Sequence, residues 1–238
     1  MTILGIETAT AVCGASVLRD GAIVSSMFVE ASQIHSERLV PIIEEVVRDA
    51  GIAPAGLDAV AVSIGPGSFT GLRIGLSAAK GICFAHQRPI VAVPTLEAVA
   101  VRMADRTGGD AGGYLLPLLD ARKGDVYAAL YRWEHGVVVE VEPSQAMPYA
   151  SLETFVGSRR PLAICADAGA AAGVTEIAAG LPGVRLVTDL LPMCHPSAVA
   201  TVGARMVAAG VMADLASLEP LYVREFTTTA QKHHSIAE

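Results

Sequence analysis

Apolar positions in the first part of the chain follow two different periods. Three short apolar runs have the length of strands, and an Asp-Gly pair between the second and the third is a hairpin turn signal. These runs cover residues 2–7, 13–19 and 22–29. From Leu39 the apolar residues recur at helical spacing until Gly51, with Ser36 as the predicted N-cap. The pattern predicts an antiparallel meander that leads into a helix.

Alternating strands and helices are predicted after this first helix. The run 57–64 is almost continuously apolar, which is typical of a buried parallel strand, and it ends at a glycine-rich turn. The turn is followed by a helix at 70–85, a strand at 89–93 and a further helix whose first part is 95–102. The order β-β-β-α-β-α-β-α is that of the ribonuclease H-like half of actin-like and sugar-kinase-like proteins.

The second half follows a similar order in a shorter and looser form. Strands are predicted at 115–119, 125–133, 137–141, 161–165 and 184–187, and helices at 151–156 and 196–209. The glycine-rich segment 107–113 is the predicted linker. We therefore expect an N-terminal subdomain at 1–106, a smaller C-terminal subdomain at 107–226 and a polar tail at 227–238.

Composition and charge narrow the class of protein. The 238 residues are 52% hydrophobic and 17% charged, so the chain can bury a sizeable core and is not expected to be disordered. A net charge of −7 argues against tight RNA binding by the chain alone, because such binding usually needs a basic surface. RNA contact within a larger complex stays open.

Several features predict a reduced, cytoplasmic protein without a membrane anchor. The cysteines form no C-x-x-C pair and are expected to be buried thiols; they are Cys13, Cys83, Cys165 and Cys194. The N-terminus has no basic region of the kind found in signal peptides. No apolar run reaches the roughly 18 residues that a spanning helix needs.

The glycine-rich turn lies in the segment 63–81, SIGPGSFTGLRIGLSAAKG. Glycines between a strand and a helix allow positive φ, Ser68 or Thr70 can cap the helix, and backbone N–H groups there can bind an anion. A phosphate-binding P-loop needs Gly-Lys-[Ser/Thr], whereas here Leu72 follows Gly71 and the next lysine is Lys80. A structural turn is the main interpretation, and a weak anion or nucleotide contact is the alternative.

The helix after the turn carries a stripe of small residues. Gly71, Gly75 and Ala79 recur at i, i+4 and i+8, and Ala78 and Ile82 widen the stripe. Such a surface lets a second element approach closely. The interpretation leaves two partners open, an element of the same chain or a helix of another subunit. In the second case Arg73 and Lys80 would lie on the rim of the interface.

Four motifs in this order together resemble the TsaB family of tRNA-modification subunits. They are GPGSFTGLRIG, the triplet His35-Ser36-Glu37 before an apolar helix, VPTLE after the next strand, and the hairpin segment 120–127. The resemblance is strong over residues 1–100 and fair to about 135. It implies an α/β, actin-like fold with two ribonuclease H-like subdomains, the second smaller and degenerate.

The resemblance also implies a function and partners. TsaB proteins support the transfer of a threonylcarbamoyl group to N6 of adenosine 37 in tRNAs that read codons beginning with A. TsaB pairs with the catalytic subunit TsaD as a heterodimer, and the ATPase TsaE joins the pair. The chain is thus expected to be a non-catalytic dimerisation subunit that meets tRNA through the complex and forms a homodimer in isolation.

The chemistry of TsaD is expected to be absent. TsaD carries an H-x-x-x-H metal-binding pair on a helix, and the matching positions here are Thr95 and Val99, neither of which can supply an imidazole. No cofactor or metal is therefore expected to be required, although ATP or ADP could bind at the subunit interface. Kinases of the wider fold use an Asp on the first strand, where this chain has Glu7, which still allows Mg²⁺ coordination. The residues of such a nucleotide contact would be Glu7, Thr8, Gly65, Gly67 and Ser68.

The predicted partner interface combines the helices at 35–47 and 71–84, which would form a four-helix contact with the partner. Its residues are His35, Arg38, Leu39, Ile42, Ile43, Val46, Gly71, Arg73, Gly75, Ala78, Ala79 and Ile82. On this interpretation a Gly75→Leu substitution would abolish pairing and leave the monomer folded.

Two other functions compete with this one. The element order also fits an ATP-dependent small-molecule kinase, for which Asp120 and Asp125 are the candidate catalytic carboxylates, although both suit a hairpin. A protease is disfavoured, since no Ser/His/Asp or Cys/His order and no zinc motif is present.

Overall fold

Strands and helices alternate along the chain in this computed structural model, which describes residues 1–30, 34–107, 113–180, 182–190 and 194–224. The first half contains β1 (Thr2–Glu7), β2 (Val12–Arg19), β3 (Ala22–Glu30), α1 (His35–Asp49), β4 (Ala59–Gly65), α2 (Phe69–His86), β5 (Ile90–Pro94) and α3 (Thr95–Thr107). The second half contains β6 (Tyr114–Asp120), β7 (Asp125–Glu134), β8 (Val137–Pro148), α4 (Leu152–Val156), β9 (Leu162–Ala166), α5 (Ala171–Gly180), β10 (Val184–Leu186) and α6 (Pro196–Ala208). The predicted order of the first half is confirmed.

Three local predictions need correction. Helix α1 begins after Ile34, which holds the N-cap position without a side-chain hydrogen bond, so the predicted cap Ser36 lies inside the first turn. Strand β8 continues to Pro148, past the predicted end at 141, because its second part pairs with β7 as far as Asp125 and alternates there between partly buried and exposed positions, although its side chains show no polar-apolar alternation. Helix α5 was not predicted, since its sequence AAGVTEIAAG is apolar nearly all round and shows no clear helical face.

The strands form two sheets of equal topology. The first has the order β3-β2-β1-β4-β5 and the second the order β10-β9-β6-β7-β8. In each sheet a central strand, β1 or β6, pairs antiparallel with the next strand and parallel with a later one. This repetition confirms the predicted α/β, actin-like fold with two ribonuclease H-like halves.

Helices cover both faces of the first sheet and continue between the two sheets. Along β1, Leu4 and Ile6 face the core formed with α1 and α2, whereas Ile3 faces the core shared with α3, α6 and the second sheet. Helices α4 and α5 cover the outer face of the second sheet. Gly5 lets α6 approach closely, because a Cβ there would lie 2.5 Å from the Ala200 nitrogen. The result is a layered molecule with α3 and α6 in the middle.

Helix α6 lies within 107–226, the range expected for the second subdomain, but it packs on the first sheet. Its contacts are with β1, β2 and β4, and it also packs beside α3. The chain that follows α6 also returns to the first sheet, where the Ala213 N–H donates to the Ile90 carbonyl oxygen at 2.9 Å. Packing therefore joins α6 and the segment that follows it to the first half of the molecule.

Two predicted segments fall largely outside the described residues. Of the linker at 107–113 the structure describes only its first and last residues, and the tail at 227–238 is not described. Within the described part of the chain, no helix has both the length and the apolar character to cross a bilayer.

Candidate functional site

The glycine-rich turn packs against the loop that follows β1. A Cβ atom at Gly67 would overlap the Ala9 carbonyl oxygen, one at Gly71 would overlap the Thr8 carbonyl oxygen, and one at Gly75 would overlap Thr8 Oγ1. Gly65 has φ +121°, and a Cβ there would lie 2.6 Å from the Leu221 carbonyl oxygen. These glycines are required because other parts of the same chain touch the backbone of α2 and of the turn.

Backbone N–H groups of the turn donate to acceptors within the chain. Ser68 caps α2 as predicted, since its Oγ accepts from the Gly71 N–H at 3.2 Å. The Ser68 N–H donates to the Ala9 carbonyl oxygen at 2.7 Å, and the Gly65 N–H donates to Thr95 Oγ1 at 3.2 Å. These contacts support the interpretation as a structural turn, and an anion contact there stays a prediction.

Glu7 is fully buried at the end of β1 and is surrounded by donors from its own chain. Its Oε1 accepts from the Thr10 N–H at 3.0 Å and from Thr10 Oγ1 at 3.2 Å, and its Oε2 accepts from Cys194 Sγ at 3.0 Å. Burial raises the pKa of this carboxyl, and the donors oppose that rise in part. The structure thus brings Glu7, Thr8 and the turn together as predicted, but they fill one another's space.

Burial places most of the predicted partner contacts of α1 inside the monomer. The apolar positions with helical spacing are its inner face, which packs on the first sheet of the same chain. The buried residues are Leu39, Ile42, Ile43 and Val46, each at most 7% exposed. A partner that docks on the surface of the monomer cannot reach most of these side chains.

The small-residue stripe of α2 is buried in the same way. Gly71 and Gly75 contact the Thr8 loop, and Ala79 is fully buried in the core below α2. Of the two partners that the sequence left open for this stripe, the structure shows the element of the same chain. Ala78 and Ile82 lie at the edge of that core and are only partly buried, so they still reach the surface.

His35 belongs to the core as well. Its ring is buried, and Nε2 lies 3.1 Å from the Val12 carbonyl oxygen, which ties the start of α1 to β2. His35 thus has a structural contact in the monomer, and its contact with a partner stays a prediction. Arg38, one turn further along, is exposed on the outer face of α1.

An open groove runs between the outer faces of α1 and α2. It has a volume of about 490 Å³, and its lining is mostly apolar or small. The lining residues are Ser36, Leu39, Val40, Phe69, Thr70, Arg73, Ile74, Ser77 and Ala78. Val40 is 53% exposed, and Phe84 further along α2 is 81% exposed. The two predicted helices thus form the candidate site, but through side chains other than most of those predicted.

Sequence reasoning missed most of the residues that line the groove. Ile74 packs partly against the core beneath α2. Val40 is an apolar residue outside the main apolar stripe of α1 and is 53% exposed, and that was the available signal. An apolar residue on the polar face of an amphipathic helix has no place in the core of its own chain. Of the predicted interface, Leu39, Arg73 and Ala78 line the groove.

The end of the described chain runs across this part of the molecule, and we call residues 211–224 the C-terminal strap. Lys80 Nζ donates to the Ala216 carbonyl oxygen at 3.3 Å, and the Leu221 N–H donates to the Ile64 carbonyl oxygen at 2.7 Å. Beyond that point Arg224 forms an ion pair with Asp125 and donates to the Ala121 carbonyl oxygen at 3.1 Å. The C-terminal strap therefore connects α2 and the glycine-rich turn to the β6–β7 hairpin.

The positions of the TsaD His pair and the candidate carboxylates of a kinase have structural surroundings in this chain. Thr95 and Val99 are fully buried in α3, and no group of three or more His, Cys, Asp and Glu side chains in the described part of the chain could hold a metal ion. Asp120 Oδ1 accepts from the Arg122 N–H at 2.9 Å, and Asp125 pairs with Arg224. Both carboxylates thus fix the β6–β7 hairpin, as expected for a structural role.

Sequence comparisons relate the chain to proteins of tRNA modification. The family model described as TsaD, tRNA N6-adenosine threonylcarbamoyltransferase, matches residues 29–175. The chain is 34% identical over 163 residues to the tRNA threonylcarbamoyladenosine biosynthesis protein TsaB of Bacillus subtilis (strain 168). This alignment covers 68% of this chain and 69% of that protein. It is 32% identical over 147 residues to TsaB of Escherichia coli (strain K12), and that alignment covers 62% of each protein.

Solved structures agree with the sequence relatives. YeaZ from Pseudomonas aeruginosa superposes with a TM-score of 0.80 at 27% identity, over 93% of this chain and 99% of that one. The ROK hexokinase from Thermus thermophilus superposes with a TM-score of 0.52 at 12% identity, over 88% of this chain and all of that one, which shows a shared fold alone. Since the family model matches more than half of the sequence and the Bacillus subtilis protein aligns over two thirds of both chains, the chain belongs to the TsaB family.

Proposed function

We propose that the chain is the non-catalytic dimerisation subunit of the complex that transfers a threonylcarbamoyl group to N6 of adenosine 37 in tRNAs reading codons that begin with A. Two curated relatives carry the name of this biosynthesis, and the matching family model carries the name of the transferase. In this role the chain pairs with a TsaD-type subunit, is joined by a TsaE-type ATPase, and meets tRNA through the complex.

The groove between α1 and α2 is the observation that supports the pairing. Apolar side chains on neighbouring helices, with Val40 on one and Ile74 on the other, form a continuous depression in which a partner helix can bury its own apolar residues. Exposed apolar area of this kind on a folded monomer marks an interaction surface. A paired partner with two similar helices would complete a four-helix contact.

The surroundings of α3 support the absence of catalysis. The positions at which TsaD carries its His pair are the buried residues Thr95 and Val99, and Thr95 Oγ1 is already engaged by the Gly65 N–H. Binding of ATP or ADP, if the complex uses it, is then expected at the subunit interface, because Glu7 and the glycine-rich turn are packed in the monomer.

Reconstitution tests the proposal. The TsaD-type and TsaE-type proteins of the same organism are combined with threonylcarbamoyl-adenylate and unmodified tRNA, with and without this chain. We expect adenosine 37 to be modified only when the chain is present, and the chain alone to transfer nothing. Modification at the full rate without the chain would reject the proposed role.

A matched pair of substitutions locates the docking surface. Val40→Glu places a charge in the groove, whereas Val211→Glu makes the same change at an equally exposed valine outside it, the two being 53% and 50% exposed. Because an unpaired charge buried in an interface is strongly unfavourable, Val40→Glu should weaken association with the TsaD-type subunit about a hundredfold. Val211→Glu should bind like the wild type in the same titration calorimetry, and equal affinities for the two variants would place the interface elsewhere.

A further inference from the structure

Arg73 is held in one position on the surface of α2 by two aromatic side chains. The centre of its guanidinium group lies 3.7 Å from the centroid of the Phe69 ring, and its Nε donates to the Tyr222 hydroxyl at 3.0 Å. The Phe69 and Tyr222 rings lie beside each other, with centroids 5.4 Å apart. An arginine stacked in this way has lost most of its conformational freedom before any partner arrives.

Tyr222 reaches this place because the C-terminal strap is fixed on both sides of it. Immediately before it, Leu221 is bonded to Ile64 through its N–H, and shortly after it Arg224 is bound to the β6–β7 hairpin. These contacts hold the Tyr222 hydroxyl against Arg73, although the two residues are 149 positions apart in the sequence.

Arg73 is the one charged residue among those that line the groove between α1 and α2. Its Nε is used by Tyr222, and no acceptor among the described residues is bonded to its two terminal nitrogens. If a partner covers the groove, this cation loses water and must receive a negative group in return, since an unpaired buried charge is strongly destabilising. A carboxylate fits the two terminal nitrogens with parallel hydrogen bonds.

We propose that Tyr222 positions Arg73 for a bidentate ion pair with an Asp or Glu side chain of the TsaD-type partner subunit. The inference rests on the proposed function, and it adds the chemistry that selects the partner. Arg73 supplies two donors in a fixed plane, and Phe69 and Tyr222 fix the plane. A partner without an acidic residue at this place would bury Arg73 unpaired and would be rejected.

Affinity measurements with conservative variants test the pair. Arg73→Lys keeps the charge but loses the fork and the stacking, and we expect the Kd for the TsaD-type subunit to rise by about 10- to 100-fold. Tyr222→Phe keeps the ring and removes only the hydroxyl, and a rise of about 3- to 10-fold is expected because Arg73 is less well ordered. Arg48→Lys on the exposed face of α1 and Tyr114→Phe on β6 are the matched controls and should not change the Kd.

A double substitution separates positioning from simple packing. If Tyr222 acts through Arg73, Tyr222→Phe has no further effect on the Kd in an Arg73→Met background. Arg73→Met itself should lower the salt dependence of association, because it removes the cation. Additive losses in the two backgrounds would overturn the positioning role. Unfolding of each variant in urea is followed in parallel, so that a change in fold is recognised.

Carbodiimide coupling identifies the acidic group. At saturating partner concentration, the amine introduced by Arg73→Lys should form an amide with an Asp or Glu of the TsaD-type subunit, which mass spectrometry of the peptides then locates. If the wild-type chain binds the partner but Arg73→Lys binds equally well and couples to no carboxylate, the inference is wrong and the proposed function stands. If the wild-type chain does not bind the partner at all, the proposed function fails and the inference fails with it.

Discussion

Two glycines of α2 should respond to the same substitution with opposite signs. At Gly81 a new Cβ would meet no atom within 4 Å, whereas at Gly75 it would overlap Thr8 Oγ1. Both positions are interior to Phe69–His86, so the intrinsic helix preference of alanine over glycine is the same at each. The difference between Gly75→Ala and Gly81→Ala therefore isolates the contact with the loop after β1.

The magnitude follows from the neighbours of each glycine. Replacing an interior helical glycine by alanine stabilises a helix by about 1 kcal/mol, and this is the expected gain in the free energy of unfolding for Gly81→Ala. At Gly75 the overlap requires Thr8 to move, which costs about 1–3 kcal/mol as overpacking. Thr8 Oγ1 also gives up its 2.8 Å hydrogen bond to the Gly71 carbonyl oxygen, and leaving that buried hydroxyl unpaired costs about 1–3 kcal/mol. Gly75→Ala should thus destabilise the chain by about 1–5 kcal/mol.

Urea unfolding followed by circular dichroism measures both effects at a protein concentration low enough to keep the chain monomeric. The midpoint should rise for Gly81→Ala and fall for Gly75→Ala, with the same m value for both. Thr8→Ala provides the decisive background, because the next atom near a Cβ at Gly75 is Thr8 Cβ at 3.4 Å, which is ordinary contact. In that background Gly75→Ala should become neutral or stabilising. A gain from Gly75→Ala in the wild-type background would refute the packing argument.

Other predictions concern the cap of α2 and two buried titratable groups. Ser68→Ala should lower the free energy of unfolding by about 1 kcal/mol in urea titration, because the Gly71 N–H loses its acceptor. Burial raises the pKa of Glu7 above its ordinary 4.5, so above that pH the folded chain holds a proton that the unfolded chain releases. The free energy of unfolding should therefore fall as the pH rises above 4.5. Glu7→Gln should remove this dependence in urea unfolding measured across that range. Burial lowers the pKa of His195 from 6.5 to about 4, so stability falls as pH drops through that interval, and His195→Asn should flatten the curve there while keeping a capping side chain.

The elements of the first half could be predicted from the sequence because each has a strong periodic pattern. The runs that form β1 and β4 and the helical spacing of α1 report burial on one face or on both. Periodicity cannot say what covers a buried face. The stripe that contains Leu39 and Val46 would look the same against its own sheet and against another subunit, and here it is the inner face.

The rest of the candidate site depends on contacts between distant parts of the chain. Tyr222 and Arg73 are separated by 149 residues, and nothing in the local sequence of either residue predicts the hydrogen bond between them. The position of α6 on the first sheet is a contact of the same kind, since its sequence follows the second sheet. Only the folded arrangement shows that the C-terminal strap takes part in the surface around the groove.

The packing of the inner face of α2 also determines the shape of the groove on its outer side. Because Gly71 and Gly75 have no side chains, α2 lies directly on the loop after β1, and the groove that it shares with α1 forms on its outer side. The expectation that Gly75→Leu would abolish pairing and leave the monomer folded is therefore wrong in its reason: a side chain there would meet Thr8 in the monomer and disturb its fold. Loss of pairing in such a variant would say nothing about the interface, whereas Val40→Glu changes the outer surface and leaves the contact between Gly75 and Thr8 intact.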